Sequence, residues 1–257
     1  MRIITLTTDF GLSDWFVGAM RGVILGLAPR AQIVDLTHGV PPGDVRAGAF
    51  ALAAGCRCFP RGTIHVAVVD PGVGSARHAL AVRTDDYVFV GPDNGLLSFA
   101  LAGEKVRAVR RLTEERWFRR PVSRNFHGRD VFAPVAAHLS RGLPFAKLGP
   151  SAADWVRLPW PEPVTRGRTV RGEVVYLDRF GNAITSIRNE QLPPREGLVI
   201  RLSGNRRIPL RQFYQAVPAG RPVALPGSAG LLEVAVNGGS AADRLGLRIG
   251  SVLEMAR

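Results

Sequence analysis

The sequence predicts an α/β protein: an N-terminal layered α/β domain with a mostly parallel sheet, then a smaller C-terminal all-β, barrel-like domain. Three observations point there. Strand-like and helix-like segments alternate over the first two thirds of the 257 residues, the order that builds a layered sheet. Residues 63–69 (TIHVAVV) form a continuous apolar run, as expected of a strand covered on both faces. Beyond the proline-rich stretch at 158–163 (LPWPEP) the segments are short, strand-like and separated by turn residues, the pattern of a barrel or sandwich. These features set the boundaries at 1–160 for the first domain and 168–257 for the second, with 161–167 a proline-rich linker.

Taken in order, residues 2–7 are β-rich and end at Thr8-Asp9-Phe10-Gly11. Ser13 is expected to cap a helix in which Phe16, Val17, Met20, Val23, Ile24 and Leu27 fall at helical spacing, with Pro29 stopping it. Residues 33–37 read as the next strand. After Pro41-Pro42-Gly43, residues 44–58 read as an alanine-rich helix with Asp44 as its cap. Further strands are expected at 79–82 and 87–90, and a helix at 129–141. In the second domain the expected strands are 171–177, 183–187, 198–202, 222–225 and 231–236, with a brief helical stretch at 241–245. No internal repeat is found.

Composition narrows the class. Hydrophobic residues make up 46% and charged residues 21%, enough apolar material for a buried core and too much for a disordered chain. No apolar run approaches the ~18–20 residues of a membrane span. The opening MRIITLTTDF reads as a strand rather than a secretion signal. Cys56 and Cys58 are too close for an ordinary disulfide and too few for a zinc site, so the expectation is a soluble, cytoplasmic protein with no membrane partner. The formal net charge of +13 suggests nucleic acid. Yet of 34 basic residues only two, Lys105 and Lys147, are lysine, and the arginines are scattered. The densest stretch, 105–129, is interrupted by Glu114 and Glu115 and carries no RRM, zinc-finger or helix-turn-helix signature. It reads as a solvated basic face, and nucleic acid is not the expected partner.

Ligands of open α/β sheets bind beyond the carboxyl ends of the strands. Three polar clusters fall there: Asp9-Phe10-Gly11, Asp35-Leu36-Thr37-His38-Gly39, and Asp70-Pro71-Gly72-Val73-Gly74-Ser75, the last followed by Arg77. The glycine-rich loop lacks both GxGxxG spacing and a Walker lysine, which argues against nucleoside triphosphates. His127 precedes a helix in Asn125-Phe126-His127-Gly128-Arg129-Asp130, and His38 sits in a turn. His65 and His78 read as strand residues and His138 as a helix-face residue. Asp9, Asp35, His38, Asp70 and His127 are residue types that hold metals, but no tight ligand spacing supports such a site, and no metal is expected. In the second domain, Asp178-Arg179-Phe180-Gly181-Asn182 and Ser228-Ala229-Gly230 read first as hairpin turns. Read functionally, the Asn182 amide offers a donor and an acceptor to a base edge.

Together, Thr8-Asp9-Phe10-Gly11, Asp35-Leu36-Thr37-His38, Val69-Asp70-Pro71-Gly72-Val73-Gly74, the 125–130 stretch, the 178–182 stretch and Ala235-Val236-Asn237-Gly238 resemble the S-adenosylmethionine hydroxide adenosyltransferases. These are the hydrolase relatives of the fluorinase and chlorinase enzymes. The resemblance runs in order over nearly the whole chain, proline-rich junction included. It implies an α/β domain joined to a β-barrel, and a trimer holding substrate between the first domain of one subunit and the second domain of its neighbour. It also implies cleavage of S-adenosylmethionine by water at ribose C5′, giving adenosine and L-methionine without a cofactor. The implied catalytic set is Asp70, Arg77 and His127.

The same resemblance assigns Asp9 to the ribose hydroxyls, Asp14 and Asp178 to the methionine ammonium, and Ser228 to the amino-acid end. Asn182 and the backbone at Val236 and Gly238 would read adenine, and Gly128 would also contact the substrate. Val73 and Gly128 stand where the halogenases carry hydroxyls, and the halogenase insertion loop is missing, which argues against halide chemistry. Ala229 stands where the halogenases carry an arginine for the carboxylate. The chemistry agrees on its own terms. A sulfonium leaves as a neutral thioether and needs no general acid. The water must be held in line, near ~3–3.5 Å, and its proton accepted. Either Asp70 or His127 is a candidate base at this level, with Arg77 orienting the carboxylate or steadying a developing hydroxide. The rival readings are a 5′-halogenase and a non-catalytic binder of adenosine or nucleic acid.

Overall fold

A computed structural model of the protein describes residues 2–192, 199–202 and 206–256. The chain divides into two compact units, Met1–Pro159 and Trp160–Arg257. The first unit runs β1 (Ile3–Thr8), α1 (Phe16–Leu27), β2 (Gln32–Thr37), α2 (Val45–Cys56), β3 (Ile64–Val68), β4 (Ala79–Thr84), β5 (Val88–Pro92), α3 (Ser98–Leu101), β6 (Val106–Arg111) and α4 (Ala133–Ser140). Its sheet has the order β2-β1-β3-β5-β4-β6. The first four strands are parallel, and β4 is antiparallel to both its neighbours. Every residue of β3 is buried, as its unbroken apolar run predicts for the centre of a sheet covered on both faces. Side chains alternate across β1: Ile4 and Leu6 pack with Met20 and Ile24 of α1 and with α4, while α2 packs on the opposite face, its Gly48 against Val69 and its Gly55 against Leu36. Burying a side chain such as Met20 or Ile24 completely contributes about 1.5–3 kcal/mol.

Local chemistry explains where the elements start and stop. Asp44 caps α2 as expected, its carboxylate accepting the Ala47 N–H at 2.9 Å. Ser13 does not cap α1. Trp15 occupies the cap position with helical dihedrals and no side-chain cap. Its ring instead lies against Phe16 and Phe126, with centroids at 4.7 and 5.5 Å, so aromatic packing sets the start of this helix. The helix expected at 129–141 opens with a wider π-type turn, Gly128–Phe132, before α4 begins. Pro134 has no N–H to return to the Asp130 carbonyl, and that carbonyl accepts the Arg119 N–H at 2.9 Å. The basic stretch at 105–129 is more than a solvated face. It contributes β6, an edge strand in which Val109 is buried.

The second unit contains β7 (Val164–Arg166), β8 (Thr169–Leu177), β9 (Ala183–Arg188), β10 (Val199–Leu202), β11 (Arg206–Pro209), β12 (Pro222–Pro226), β13 (Leu231–Val236), α5 (Ala241–Leu245) and β14 (Val252–Ala256). The strand order is β11-β10-β14-β8-β9-β13-β12, with β7 beside β8, and the paired neighbours are antiparallel. A bridge between Leu210 and Ala224 and a hydrogen bond from Arg211 N–H to the Ala224 carbonyl at 2.8 Å draw the two edges together, nearly closing a barrel. Val170, Val174, Ile187, Ile200, Leu232, Val234 and Met255 fill its interior. Of the strand expected at 198–202, residue 198 lies outside the described residues. Among the described residues no helix is long and apolar enough to cross a membrane.

Candidate active site

Because β1 and β3 run parallel in adjacent positions, with Thr8 beside Val68, their carboxyl ends deliver Asp9 and Asp70 to the same edge of the sheet. A cleft of about 390 Å³ opens there. Asp9, Asp70, His127, Val73 and Gly128 line it, together with the rings of Phe10, Phe16 and Phe126. Asp9 accepts the Gly43 N–H at 2.8 Å through one carboxylate oxygen.

The loop after β3 is built to hold Asp70. Asn94 donates its side-chain N–H to the Val69 carbonyl at 2.9 Å, and Ser75 donates to the Gly72 carbonyl at 2.7 Å. Gly74 has a φ of +77°, and a Cβ there would lie 2.1 Å from the Arg124 carbonyl oxygen. Only glycine lets this loop lie so close to the strip carrying His127. Arg77 then forks onto Asp70: its Nε donates to Oδ1 at 3.0 Å and its Nη2 to Oδ2. The same Nη2 meets His127 Nδ1 at 2.8 Å. The guanidinium lies over the Phe132 ring, 5.5 Å from its centroid. Only 4% of the Asp70 side chain and 11% of Arg77 are exposed, so these contacts act with little solvent screening.

Protonation follows from this geometry. Burial lowers the His127 pKa below its usual value, and the Arg77 charge lowers it further against the opposing pull of Asp70 and Asp130. The imidazole is therefore neutral near pH 7. A guanidinium only donates, so Nδ1 must accept and Nε2 carries the proton. The strip bearing His127 is anchored by Asp130, whose side chain is wholly buried. Its oxygens accept from Arg129 Nε at 2.7 Å and Nη2 at 2.8 Å, from Arg119 at 3.2 Å and from the Ser123 N–H at 2.9 Å. Burial pushes this carboxyl up, but the Arg129 hydrogen bond, with Ser123 and Arg119, holds it below the ordinary value.

The other expected site residues lie in different places. Asp14 is exposed in the turn before α1. In the second unit, Asp178 closes the turn after β8, accepting from Phe180 N at 2.8 Å, Asn182 N at 2.9 Å and Asn182 Nδ2 at 2.9 Å. Ser228 is exposed in the β12–β13 turn, Val236 ends β13 in a bridge with Gly239, and Gly238 is exposed with a φ of +69°. Among the described residues no three His, Cys, Asp or Glu side chains converge as a metal site. Sequence reasoning missed the Asp130 anchor and the aromatic wall of Phe10, Phe16 and Phe126. The run of Arg, Asn, Phe, His, Gly, Arg and Asp at 124–130 was the available signal for the first.

A larger hollow, about 690 Å³, lies at the amino ends of β1 and β2, lined by Arg2, Leu27, Arg30 and Arg141 among others. Two of its arginines cap helix ends: Arg2 donates to the Leu139 carbonyl at 3.3 Å and Arg141 to the Leu27 carbonyl at 3.0 Å. That is a structural duty, which leaves the smaller cleft as the candidate site.

A neutral imidazole N–H and a carboxylate, both held by one guanidinium, face a cleft with aromatic walls, an arrangement of polar groups able to hold a small polar molecule beside an apolar surface. The comparisons name the family. The SAM hydroxide adenosyltransferase N-terminal domain matches residues 4–149 and the corresponding C-terminal domain matches residues 172–254, so the chain belongs to the S-adenosylmethionine hydroxide adenosyltransferase family. It is 47% identical to a protein named (R)-S-adenosyl-L-methionine hydrolase from Salinispora arenicola, over 98% of this chain and 97% of that one. It is 44% identical to one of the same name from Thermus thermophilus, over 97% and 98%. A fluorinase from Nocardia brasiliensis is 26% identical over 96% of this chain and 94% of its own. The crystal structure of an uncharacterized conserved protein from Thermotoga maritima superposes with a TM-score of 0.93 at 36% identity, covering 99% of this chain and all of that one.

Proposed function

We propose that the protein is an enzyme that hydrolyses S-adenosyl-L-methionine at ribose C5′, and that the R epimer at sulfur is its substrate. The observation that carries this reading is the Arg77 fork, which joins Asp70 and His127, two residues lining a cleft that Asp9 also lines. The relatives named (R)-S-adenosyl-L-methionine hydrolase support the choice of substrate. In the proposed step a water oxygen accepts the His127 Nε2–H and gives a proton to Asp70. Oxygen forms a bond to C5′, the C5′–S bond breaks, and its electron pair leaves on sulfur. The products are adenosine, methionine and a proton released to solvent. The tautomer that Arg77 imposes makes His127 a donor to the nucleophile, which leaves Asp70 as the proton acceptor. Rate enhancement then comes from holding the water in line and from fixed dipoles in a partly desolvated cleft.

Asp9 accepts the ribose hydroxyls in this reading, and Gly128 contacts the nucleoside. Asp14 and Asp178 face the methionine ammonium, Ser228 the amino-acid end, and Asn182 with the backbone at Val236 and Gly238 reads adenine. These residues are split between the two units. Each unit also exposes large apolar groups, Leu12 and Trp15 on the first and Phe180 and Phe213 on the second. We propose, as the family resemblance implies, a homotrimer in which the second unit of a neighbouring copy completes each site, and a cytoplasmic setting suited to the free thiols Cys56 and Cys58. Halide chemistry is disfavoured at Gly128, where an added Cβ would meet Met20 Sδ at 3.2 Å and Phe126 at 3.4 Å, so even a serine is crowded.

The test is product analysis by chromatography after incubation with each sulfur epimer of S-adenosylmethionine, with and without chloride or fluoride. Adenosine and methionine in equal amounts from the R epimer, unchanged by halide, are expected. A 5′-halo-5′-deoxyadenosine product, or no turnover of either epimer, overturns the reading.

A further inference from the structure

A polar chain runs from the edge strand β2 to the loop that carries Asp9, its inner members Thr8 and His38 buried. Arg21 pairs with Asp35. His38, 6% exposed, places Nε2 at 3.1 Å from Asp35 Oδ1, an electrostatic contact rather than an aligned hydrogen bond, and neither atom has a hydrogen-bond partner among the described residues. His38 Nδ1 meets Thr8 Oγ1 at 2.8 Å. Thr8 Oγ1 in turn accepts the Phe10 N–H at 3.2 Å, and the His38 carbonyl accepts the Gly11 N–H at 2.9 Å. The two residues that follow Asp9 thus have their backbone amides tied to His38, Phe10 through the Thr8 hydroxyl and Gly11 directly.

We propose that His38 is a positioning residue for this reaction, fixing through Thr8 the loop that presents the Asp9 carboxylate to the ribose. The proposal rests on the reading of Asp9 given above. The direction of the chain follows from the chemistry of its members. Asp35 beside Nε2 favours the tautomer with its proton there, since a lone pair facing a carboxylate is repelled. Nδ1 is then an acceptor and takes the Thr8 hydroxyl proton. A hydroxyl whose proton is committed has its lone pairs free for the Phe10 N–H. Removing the imidazole releases the hydroxyl rotor and with it the orientation of the next two residues.

His65 provides the internal contrast. It makes the same kind of bond, Nδ1 to Thr5 Oγ1 at 2.7 Å, but packs between Tyr87 and Phe89, and no described bond links it to the Asp9 loop. The same histidine–threonine pair one strand further on is core filling. At His38 the pair ends on the site.

The experiment compares binding of adenosine and 2′,3′-dideoxyadenosine by calorimetry to the intact protein. The ratio of the two dissociation constants reads the Asp9–diol contact and is blind to a general loss of folded protein. In wild type adenosine is expected to bind the tighter, by about tenfold or more for a carboxylate–diol contact. In His38→Ala, and in the isosteric Thr8→Val, that ratio is expected to fall toward one while the constant for the dideoxy nucleoside changes less than about twofold. The double variant should match the singles, since both act through one chain. Thr8→Ser restores the hydroxyl and should restore the ratio. If His38→Ala does not fold, Thr8→Val decides alone. An unchanged ratio in the variants overturns the proposal. A wild-type ratio of one removes the ribose reading and this proposal with it. A wild type that separates the nucleosides but leaves S-adenosylmethionine intact sinks the hydrolase reading alone, and the variant ratios still decide the role of His38.

Discussion

Arg77→Lys separates geometry from charge at the centre of the site. The ammonium keeps the positive charge but cannot fork, so it cannot donate at once to Asp70 Oδ1, Asp70 Oδ2 and His127 Nδ1, as Arg77 does through Nε and Nη2. At least one and normally two of those three contacts are lost. A hydrogen bond to a charged group contributes about 1.5–3 kcal/mol, and here the partners are nearly buried, so little is recovered from water. Losing two from the oriented state amounts to about 3–6 kcal/mol, or a fall in kcat of roughly 10²- to 10⁴-fold at tenfold per 1.36 kcal/mol. Arg77 does not line the cleft itself, so KM should move less than about threefold. Steady-state kinetics on the purified variant, with adenosine affinity measured alongside, decide the matter. A companion Arg77→Gln removes the charge that lowers the His127 pKa, and its imidazole titration by NMR should move up toward 6.5. A kcat within fivefold of wild type in Arg77→Lys, or a loss confined to KM, would refute the reasoning that the fork organises the nucleophile.

Other perturbations follow from the same structure. Burial lowers the pKa of both His38 and His65 from 6.5 to about 4, with Arg21 adding to the effect at His38. The unfolded chain takes up protons below 6.5 and the folded chain does not until about 4, so stability must fall as pH drops through that window. The loss approaches about 3 kcal/mol per histidine near pH 4. Urea midpoints at pH 7 and pH 4.5 should differ accordingly, and a flat profile would contradict the buried, neutral assignment. Gly74→Ala introduces a Cβ at φ +77° and 2.1 Å from the Arg124 carbonyl, which must push the Asp70 loop away from the His127 strip. The backbone strain alone is about 1–3 kcal/mol. A lowered melting temperature together with a loss of kcat is expected, and a variant with wild-type turnover would show that the close approach is dispensable.

Much of the fold is legible because it is written locally. The apolar run of β3, the Asp44 cap and the turn-rich spacing of the second unit each specify their element from within a few residues. What escaped was decided by partners distant in sequence. Ser13 lost the start of α1 to Trp15, whose ring packs on Phe126 more than a hundred residues away. Strand β7 is exposed along its whole length and β11 opens with two arginines, so neither shows a buried alternation. The site divides in the same way. Asp70 and Arg77 share one loop, and their pairing needs only that loop to close. His127 reaches Arg77 across fifty residues, a meeting that only the parallel sheet arranges and that the family resemblance, rather than spacing, anticipated. His38 lies in the turn where it was expected, but its bond to Thr8 is a contact no spacing rule contains.

In the proposed reaction solvent is the nucleophile at a sugar carbon. Turnover in ¹⁸O-enriched water, followed by mass spectrometry of both products, tests it most directly. The label should appear once in adenosine, at the 5′ oxygen, and not in methionine. Adenosine that forms without the label would contradict attack by water at C5′.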